Sequence, residues 1–228
     1  MRYPLPVAQL AFRRARTEEN KRQRAAALVE AARSLALETG VASVTLTAVA
    51  SRAGIHYSAV RRYFTSHKEV LLQLAVEGWA RWSATVCEKL AEPGAMTPAR
   101  VAETLANGLA VDPLFCDLLA NLHLHLEHEV QIERVVENRR AISAAAIALA
   151  DAIGQALPAL GRPGAFDILI AAYSLAAAFW QIANPPARIS DVYEEEPEVL
   201  PPEWNIDFAS ALTRVLTATC IGSLAESR

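Results

Sequence analysis

Cysteine and aromatic residues are scarce in this chain of 228 residues. Cys87, Cys116 and Cys220 are odd in number, far apart and in no CxxC or Cys/His zinc spacing, which argues against a disulfide framework. Aromatic residues make up 7% of the sequence although hydrophobic residues make up 53%, so Ala, Leu and Val supply most of the apolar content. Because alanine and leucine favour helices, this composition predicts an all-α protein, and the cysteine usage indicates a reducing cytoplasm.

The sequence also lacks the motifs of common enzymes and of exported proteins. It holds no serine-nucleophile motif, no glycine-rich phosphate loop and no dinucleotide fingerprint, so we expect neither an enzyme nor a cofactor. The apolar stretch 3–12 precedes its arginines and has no cleavage site of the usual kind, which argues against export. Residues 165–183 come closest to a membrane span. They include Asp167 and Gln181 and are rich in alanine, so we expect a buried helix and no membrane partner.

Charge distinguishes the two ends of the chain. Residues 1–68 contain twelve Lys/Arg against four Glu, a net charge of +8, whereas residues 69–228 contain ten against twenty-one acidic residues, a net charge of −11. Such asymmetry indicates a polyanion partner for the basic end and a different task for the acidic end. A solvated basic face would give the same pattern, so charge alone leaves that alternative open.

Three helices are predicted at the basic end. Caps, glycine stops and apolar spacing place them at 17–39 with Thr17 as cap and Gly40 as stop, at 45–53 with Thr45 as cap, and at 57–64. Val60 and Phe64 lie four residues apart and are expected to face the core. Since the second and third helices are short and joined by a turn at Gly54, they are predicted to form a helix-turn-helix.

The remainder of the chain is predicted to be helical as well. Periodicity and end signals place helices at 68–91, 98–110, 112–126, 129–157, 165–183 and 206–225. The connector 184–205 has five prolines and six acidic residues, so we expect no regular structure in it.

The last two helices are expected to build a homodimer. Residues 168–182 carry no charge, so one side of their helix can pack inward while the other side needs a partner. Residues 206–225 supply a matching surface of small residues, with Phe208, Leu212, Val215 and Leu216 as expected contacts. A four-helix interface between two identical subunits would match a palindromic partner, one that itself has two-fold symmetry.

The exposed side of the third helix is suited to DNA. With Val60 and Phe64 facing inward, Ser58, Ala59 and Arg62 are expected to face outward. Arg61 and Tyr63 flank them, and Tyr57 lies at the amino-terminal tip of the helix. Small residues allow close approach to the major groove, arginines reach phosphates or guanine edges, and tyrosine hydroxyls and the helix amino terminus bind phosphate. We therefore expect double-stranded DNA as the partner, with an ordinary solvated hairpin as the alternative.

Residues 17–75 resemble the DNA-binding domain of the tetracycline-repressor (TetR) family of bacterial regulators. The resemblance rests on "TLTAVASRAG" as a Thr-capped second helix, on a recognition helix ending in Tyr-Phe, and on "SHKEVLL" opening a fourth helix. It implies a DNA-binding domain with a basic arm at 1–67, the arm being residues 12–24, and a helical effector-binding and dimerisation domain at 68–228. The DNA-facing residues that it implies are Thr45, Thr47, Tyr57, Ser58, Ala59, Arg61, Arg62, Tyr63 and Lys68.

Three positions depart from the family pattern. His56 replaces the usual serine cap, Arg61 replaces a phosphate-contacting tyrosine, and His67 replaces a phosphate-binding lysine, although Lys68 is adjacent. These differences leave the DNA-binding role intact and leave the individual contacts and the operator sequence open.

The resemblance also implies a small effector, apolar or aromatic, that changes the separation of two recognition helices in a dimer. The residues expected to line its cavity are Trp79, Trp82, Phe115, Tyr173, Phe179 and Trp180, with His123 or His125 orienting the ligand. Plain core packing is the alternative for each aromatic residue. We therefore expect a cytoplasmic repressor that a small molecule releases from its operator.

Two other functions are compatible with parts of the sequence. The segment "NLHLHLEHEV" holds His123, His125 and His128 close to Glu127 and Glu129, as a metal-dependent enzyme would require. Because His125 and His128 share a helix face while His123 points elsewhere, and no HExxH accompanies them, we expect no metal. The second alternative is an architectural DNA-binding protein without an effector.

Overall fold

The computed structural model describes residues 7–94, 96–128, 130–199 and 206–226, with the backbone alone for 7–18, 123, 124, 187 and 197. Within these ranges the chain is helical and contains no strand, which confirms the all-α prediction. The α-helices are α1 Val7–Thr39, α2 Leu46–Arg52, α3 Tyr57–Val60, α4 His67–Leu90, α5 Pro98–Ala110, α6 Pro113–Asn121, α7 Ile132–Ala156, α8 Gly161–Ala183, α9 Ala187–Glu195 and α10 Phe208–Glu226.

Short polar side chains set where several of these helices begin. Asp112 Oδ1 accepts a hydrogen bond from Phe115 N at 3.0 Å, and Pro113 occupies the first turn of α6, where a missing N–H costs nothing. Thr97 caps α5 in the same way, with its hydroxyl 3.3 Å from Arg100 N. These starts were predicted from the sequence and are confirmed.

Some predicted helix boundaries were wrong. Helix α1 already begins at Val7, so Thr17 lies inside it and does not cap it. Helix α3 ends at Val60 and continues as turns to Tyr63, because the N–H groups of Arg62 and Tyr63 bond three residues back. Helix α6 gives way to a π-helical segment at Leu122–Leu126.

The connector between α8 and α10 is more regular than its composition predicted. Its prolines lie at 185, 186, 197, 201 and 202 and leave a proline-free stretch between them. That stretch forms α9, with Pro186 as its N-cap residue, and a 3₁₀ turn follows at Pro197–Val199. The prolines therefore flank the helix, where their missing N–H groups are tolerated.

A continuous apolar core joins the helices around α4. Helix α4 packs against α1, α5, α6 and α7, and α10 packs against α5 and α8. The side chains of Val70, Leu74, Val86, Leu105 and Leu109 are fully buried in this core. Helix α4 therefore extends from the helix-turn-helix into the centre of the C-terminal helices.

Gly78→Ala is expected to destabilise the fold, because the ring of Phe115 lies on this glycine. A Cβ at Gly78 would lie 2.7 Å from Phe115 Cγ and 2.9 Å from Cε2. Overpacking of this kind costs about 1–3 kcal/mol, which lowers the Tm of a chain of this size by roughly 3–10 °C. Thermal unfolding measures the loss. Gly154→Ala, whose Cβ would lie 3.7 Å from Ala165 Cβ, is the matched control and should leave the Tm unchanged or slightly higher.

Helices α8 and α10 each have a buried and an exposed side. Ile168 and Ala172 of α8 are fully buried, whereas Ile170 is 48% exposed. In α10, Leu212 and Leu216 are fully buried within the protomer, whereas Ile221 is 56% exposed. The sequence had placed Leu212 and Leu216 among the partner contacts, which is wrong because α5 and α8 of the same chain cover them.

By length and composition alone, Pro158–Ala183 and Phe208–Glu226 are apolar enough to cross a membrane. Two such helices are weak indication of a membrane protein, since helices of soluble proteins meet the same criterion. The apolar side chains that these two helices expose, such as Ile170 and Ile221, are not covered by packing within one chain and need another explanation.

Thiol titration should find one accessible cysteine in the native chain. All three cysteines are free, and burial raises the pKa of Cys116 to about 12 and that of Cys220 to about 11. The carboxylates of Asp112 and Asp117 contribute further to the shift at Cys116. Since the thiolate is the reactive form, we expect Ellman's reagent at pH 8 to modify the half-buried Cys87 alone, and all three residues after denaturation. A Cys87→Ser variant that still gave one fast equivalent would contradict this.

Candidate nucleic-acid interface and ligand-binding region

The turn between α2 and α3 fixes the orientation of the third helix. Gly54 has φ +64°, a left-handed backbone conformation that residues with a side chain rarely adopt. Ile55 N donates a hydrogen bond to Ala50 O at 3.0 Å. Val49 and Val60 are fully buried, and Phe64 is 8% exposed, so α2 packs on α1 and α3 packs on α2 through the side predicted to face inward. The opposite side of α3 is thereby turned to solvent.

His56 performs the capping role that serine has in the family pattern. Its Nδ1 accepts from Ser58 N at 3.3 Å and lies 2.8 Å from Ser58 Oγ. Thr45 caps α2, with its hydroxyl oxygen accepting from Ala48 N at 3.2 Å. Both caps hold the amino ends of the two short helices at the exposed surface.

All nine residues predicted to face DNA lie on one continuous segment, but they differ in exposure. Thr45, Thr47, Tyr57, Ser58, Arg61 and Arg62 are exposed, while Ala59, Tyr63 and Lys68 are partly buried. Tyr63 also packs against the core, so its ring has a structural role beside any contact to DNA. Because α3 ends at Val60, the two arginines project from the following turn and not from a regular helix.

A basic groove adjoins this segment. Lys21 and Arg24 of α1 line it together with Arg62 and Tyr63. The larger groove beside it, of about 530 Å³, adds Arg134 of α7, which pairs with Glu137 at 3.0 Å in the same groove. Lys21 and Arg24 belong to the arm predicted from the sequence, whose residues 12–18 have no described side chains. The position of Arg134 beside this groove was not predicted, since nothing local to residue 134 indicates that α7 reaches the helix-turn-helix.

Ion pairs fix the helix-turn-helix on its surroundings. Arg52 of α2 makes a two-pronged contact with Glu38 of α1, at 2.7 and 2.6 Å. These hydrogen bonds hold the pKa of Glu38 below its usual value. Arg33 of α1 pairs with Glu77 of α4 at 2.5 Å. These arginines are engaged within the protein, which leaves Arg61 and Arg62 as the arginines on the exposed side of the turn.

Four of the aromatic residues predicted to line a ligand cavity pack on one another. Trp79 lies edge-to-face against Trp82, Phe115 and Tyr173, with centroid distances of 5.4, 5.8 and 5.3 Å. We call these four residues the aromatic cluster; they join α4, α6 and α8. Trp82 Nε1 donates to Leu105 O at 3.3 Å, whereas Trp79 Nε1 is buried with no hydrogen-bond partner among the described residues.

The other predicted cavity residues lie elsewhere. Trp180 packs edge-to-face on Phe208 of α10 at 5.7 Å and lines a separate cleft beside α1. His125 is exposed, and the side chain of His123 lies outside the described part of the structure. The sequence therefore grouped residues that the fold divides between two places.

The histidine segment pairs with α7 through an acidic residue. The Arg139 guanidinium of α7 donates two hydrogen bonds of 2.6 Å to the Glu127 carboxylate. His128 is exposed. Glu129 lies outside the described residues. In the described part of the chain, no group of three or more His, Cys, Asp or Glu side chains is placed to hold a metal ion.

Comparisons with known proteins identify the family. Residues 28–74 match the family described as bacterial regulatory proteins, tetR family, and residues 76–227 match the tetracyclin repressor-like C-terminal domain. A search of curated proteins found no match. Solved structures share the fold, among them two bacterial regulators. The fatty acid degradation regulator FadR from Bacillus halodurans is 12% identical with a TM-score of 0.51, and the match covers 87% of this chain and 95% of that one. A TetR/AcrR-family regulator from Thermobifida fusca is 17% identical with a TM-score of 0.50, covering 86% and 97%.

Regulators of the TetR family are soluble, generally non-enzymatic proteins that dimerise and bind DNA operators. The family profile of the C-terminal domain alone spans more than half of the present sequence. The chain therefore belongs to the TetR family and is a DNA-binding transcriptional regulator.

Proposed function

We propose that this regulator is a cytoplasmic, dimeric repressor that a small molecule releases from a palindromic operator. The observation that carries the proposal is the exposed turn with Arg61 and Arg62, which follows α3 in a chain of this family. Two copies would place their α3 helices in half-sites about one DNA turn apart, roughly 34–36 Å. The division into domains at residues 67 and 68 belongs to the same proposal.

The aromatic cluster supports an effector site between α4, α6 and α8. A buried N–H without an acceptor costs about 1–3 kcal/mol, and Trp79 Nε1 is such a group among the described residues. An apolar or aromatic ligand that carries one acceptor atom would satisfy this donor while displacing part of the cluster. Because Phe115 packs on Gly78 and Trp79, its movement would shift α6 relative to α4.

The test is a screen of aromatic ketones and of the hydrocarbons with the same skeleton, read by thermal shift and by release of a fluorescent operator. A true effector should raise the Tm and lower operator affinity, and ketones should act where the hydrocarbons do not. Trp79→Phe keeps an aromatic ring, smaller than the indole, and removes the donor, so it should abolish the difference between the two series. If no compound shifts both readouts, the protein represses constitutively and the effector proposal fails.

The dimer is proposed to form through the exposed sides of α8 and α10. Ile170 and Ile221 supply apolar surface there, and Ser174, Ala178 and Ala218 are small exposed residues that permit close helix approach. This arrangement retains the segments predicted from the sequence, 165–183 and 206–225, and replaces the predicted contacts Leu212 and Leu216.

A further inference from the structure

A cleft at the junction of the helix-turn-helix and the C-terminal helices is separate from the DNA-facing surface and from the aromatic cluster. Its volume is about 400 Å³, within the range of small-molecule sites. One wall is the end of α1 with the turn after Gly40, the second is the first part of α6, and the third is the end of α8 with Pro185 and Pro186. A ligand in this cleft would touch both functional parts of the chain.

Asp117 is the charged residue among those that line the cleft. Its carboxylate accepts from Val41 N at 2.7 Å, from Asn121 Nδ2 at 3.2 Å and from Gln181 Nε2 at 3.4 Å. All three donors are neutral, and within the described residues no Lys, Arg or His forms an ion pair with Asp117. The cleft therefore carries a negative charge that no Lys, Arg or His among the described residues pairs with.

The other polar side chains of the cleft are amides and hydroxyls without charge. The amide NH₂ groups of Asn121 and Gln181 are directed at Asp117, and that of Asn184 donates to Trp180 O at 3.1 Å. The hydroxyl of Thr39 donates to Leu35 O at 3.0 Å. The carbonyl oxygens of these amides can accept from a ligand, whereas Gln181 and Asn184 each keep a second N–H and the Ser43 hydroxyl also lines the cleft. The preference for a cation therefore rests on the charge of Asp117.

The apolar surface of the cleft indicates which kind of cation it would bind. Trp180, Leu37 and the two prolines line it, and an indole ring attracts both apolar groups and cations. We propose that the cleft binds a small organic cation with a flat apolar group, an arylalkyl ammonium, whose ammonium contacts Asp117 and whose ring lies against Trp180. A neutral or anionic analogue would leave the carboxylate unpaired or repel it.

Occupation of the cleft would act on the DNA-binding end through one hydrogen bond. Val41 lies in the 3₁₀ turn Val41–Ser43, which leads directly into the cap of α2 at Thr45. An ammonium group on Asp117 competes with Val41 N–H for the carboxylate and so weakens the contact between α6 and this turn. This coupling rests on the proposed repressor function, whereas the binding site itself does not.

The experiment is calorimetric titration of the full-length protein with 2-(1-naphthyl)ethylamine, 2-(1-naphthyl)ethanol and 1-naphthaleneacetate, which differ mainly in charge. We expect the ammonium to bind about tenfold more tightly than the alcohol, and the anion not to bind. Asp117→Asn retains an oxygen that can accept from Val41 and should remove the preference for the ammonium. Asp151→Asn, an exposed change on α7, is the matched control and should preserve that preference.

Equal affinity for the three compounds would overturn the proposal, as would ammonium binding that Asp117→Asn does not change. Loss of binding in Trp79→Phe, with Asp117→Asn unaffected, would place the ligand in the aromatic cluster and equally overturn it. Operator binding is measured in parallel on the same samples. If the ammonium binds selectively through Asp117 but the protein does not bind the operator, the proposed ligand site is supported and the repressor function is refuted.

Discussion

Replacing Arg61 and Arg62 together by alanine is expected to weaken operator binding about a hundredfold or more. Both side chains are exposed on the turn after α3, next to the groove formed with Lys21 and Arg24. A guanine contact is worth about 1–3 kcal/mol and its loss relaxes specificity at that base, whereas loss of a phosphate contact weakens all sequences alike and reduces the salt slope by about one. Fluorescence anisotropy with operator and scrambled duplexes, at several salt concentrations, separates the two cases.

Arg100 and Arg140 provide the control for this experiment. They are exposed on α5 and α7, so their double alanine variant removes the same charge from a different surface. We expect it to bind the operator like the unchanged protein. Equal affinity of the Arg61/Arg62 variant and the control for the operator would show that the turn does not contact DNA.

Replacing Ile221 by arginine is expected to convert a dimer into a folded monomer. Ile221 is 56% exposed on α10, at the side proposed to meet the partner. An unpaired buried charge costs about 3–5 kcal/mol, and two-fold symmetry introduces the change twice in each dimer. Light scattering at micromolar concentration should then give a mass near 24.7 kDa, with the circular dichroism of a folded helical protein.

Two further variants separate the interface from the core. Ile147→Arg changes an isoleucine of α7 that is 43% exposed and lies outside the proposed interface, so the dimer mass should remain. Leu212→Arg buries a charge within the protomer, where Leu212 has no exposed surface, so it should unfold the chain and not yield a folded monomer. A dimer that persists in Ile221→Arg would rule out this side of α10.

Some features follow from the sequence because short-range interactions create them. Thr45 and Asp112 bond to N–H groups three residues ahead, and Gly40 and Gly54 adopt positive φ at the ends of helices. Such contacts depend only on neighbouring residues, so spacing in the chain reveals them. The helix-turn-helix motif, including the inward position of Val60, could be predicted from the sequence for the same reason.

Other features depend on residues that are distant in the sequence, and only the tertiary structure decided them. Leu212 and Ile221 are both large apolar residues of α10, and the packing of α10 on α5 and α8 determines which of them is buried. Asp117 meets Val41 across 76 residues of chain, a contact that no local pattern encodes. The composition, caps and charge thus determined a helical DNA-binding protein. Packing between helices decided which side chains face a partner, a ligand or the core, because burial is a property of the whole fold.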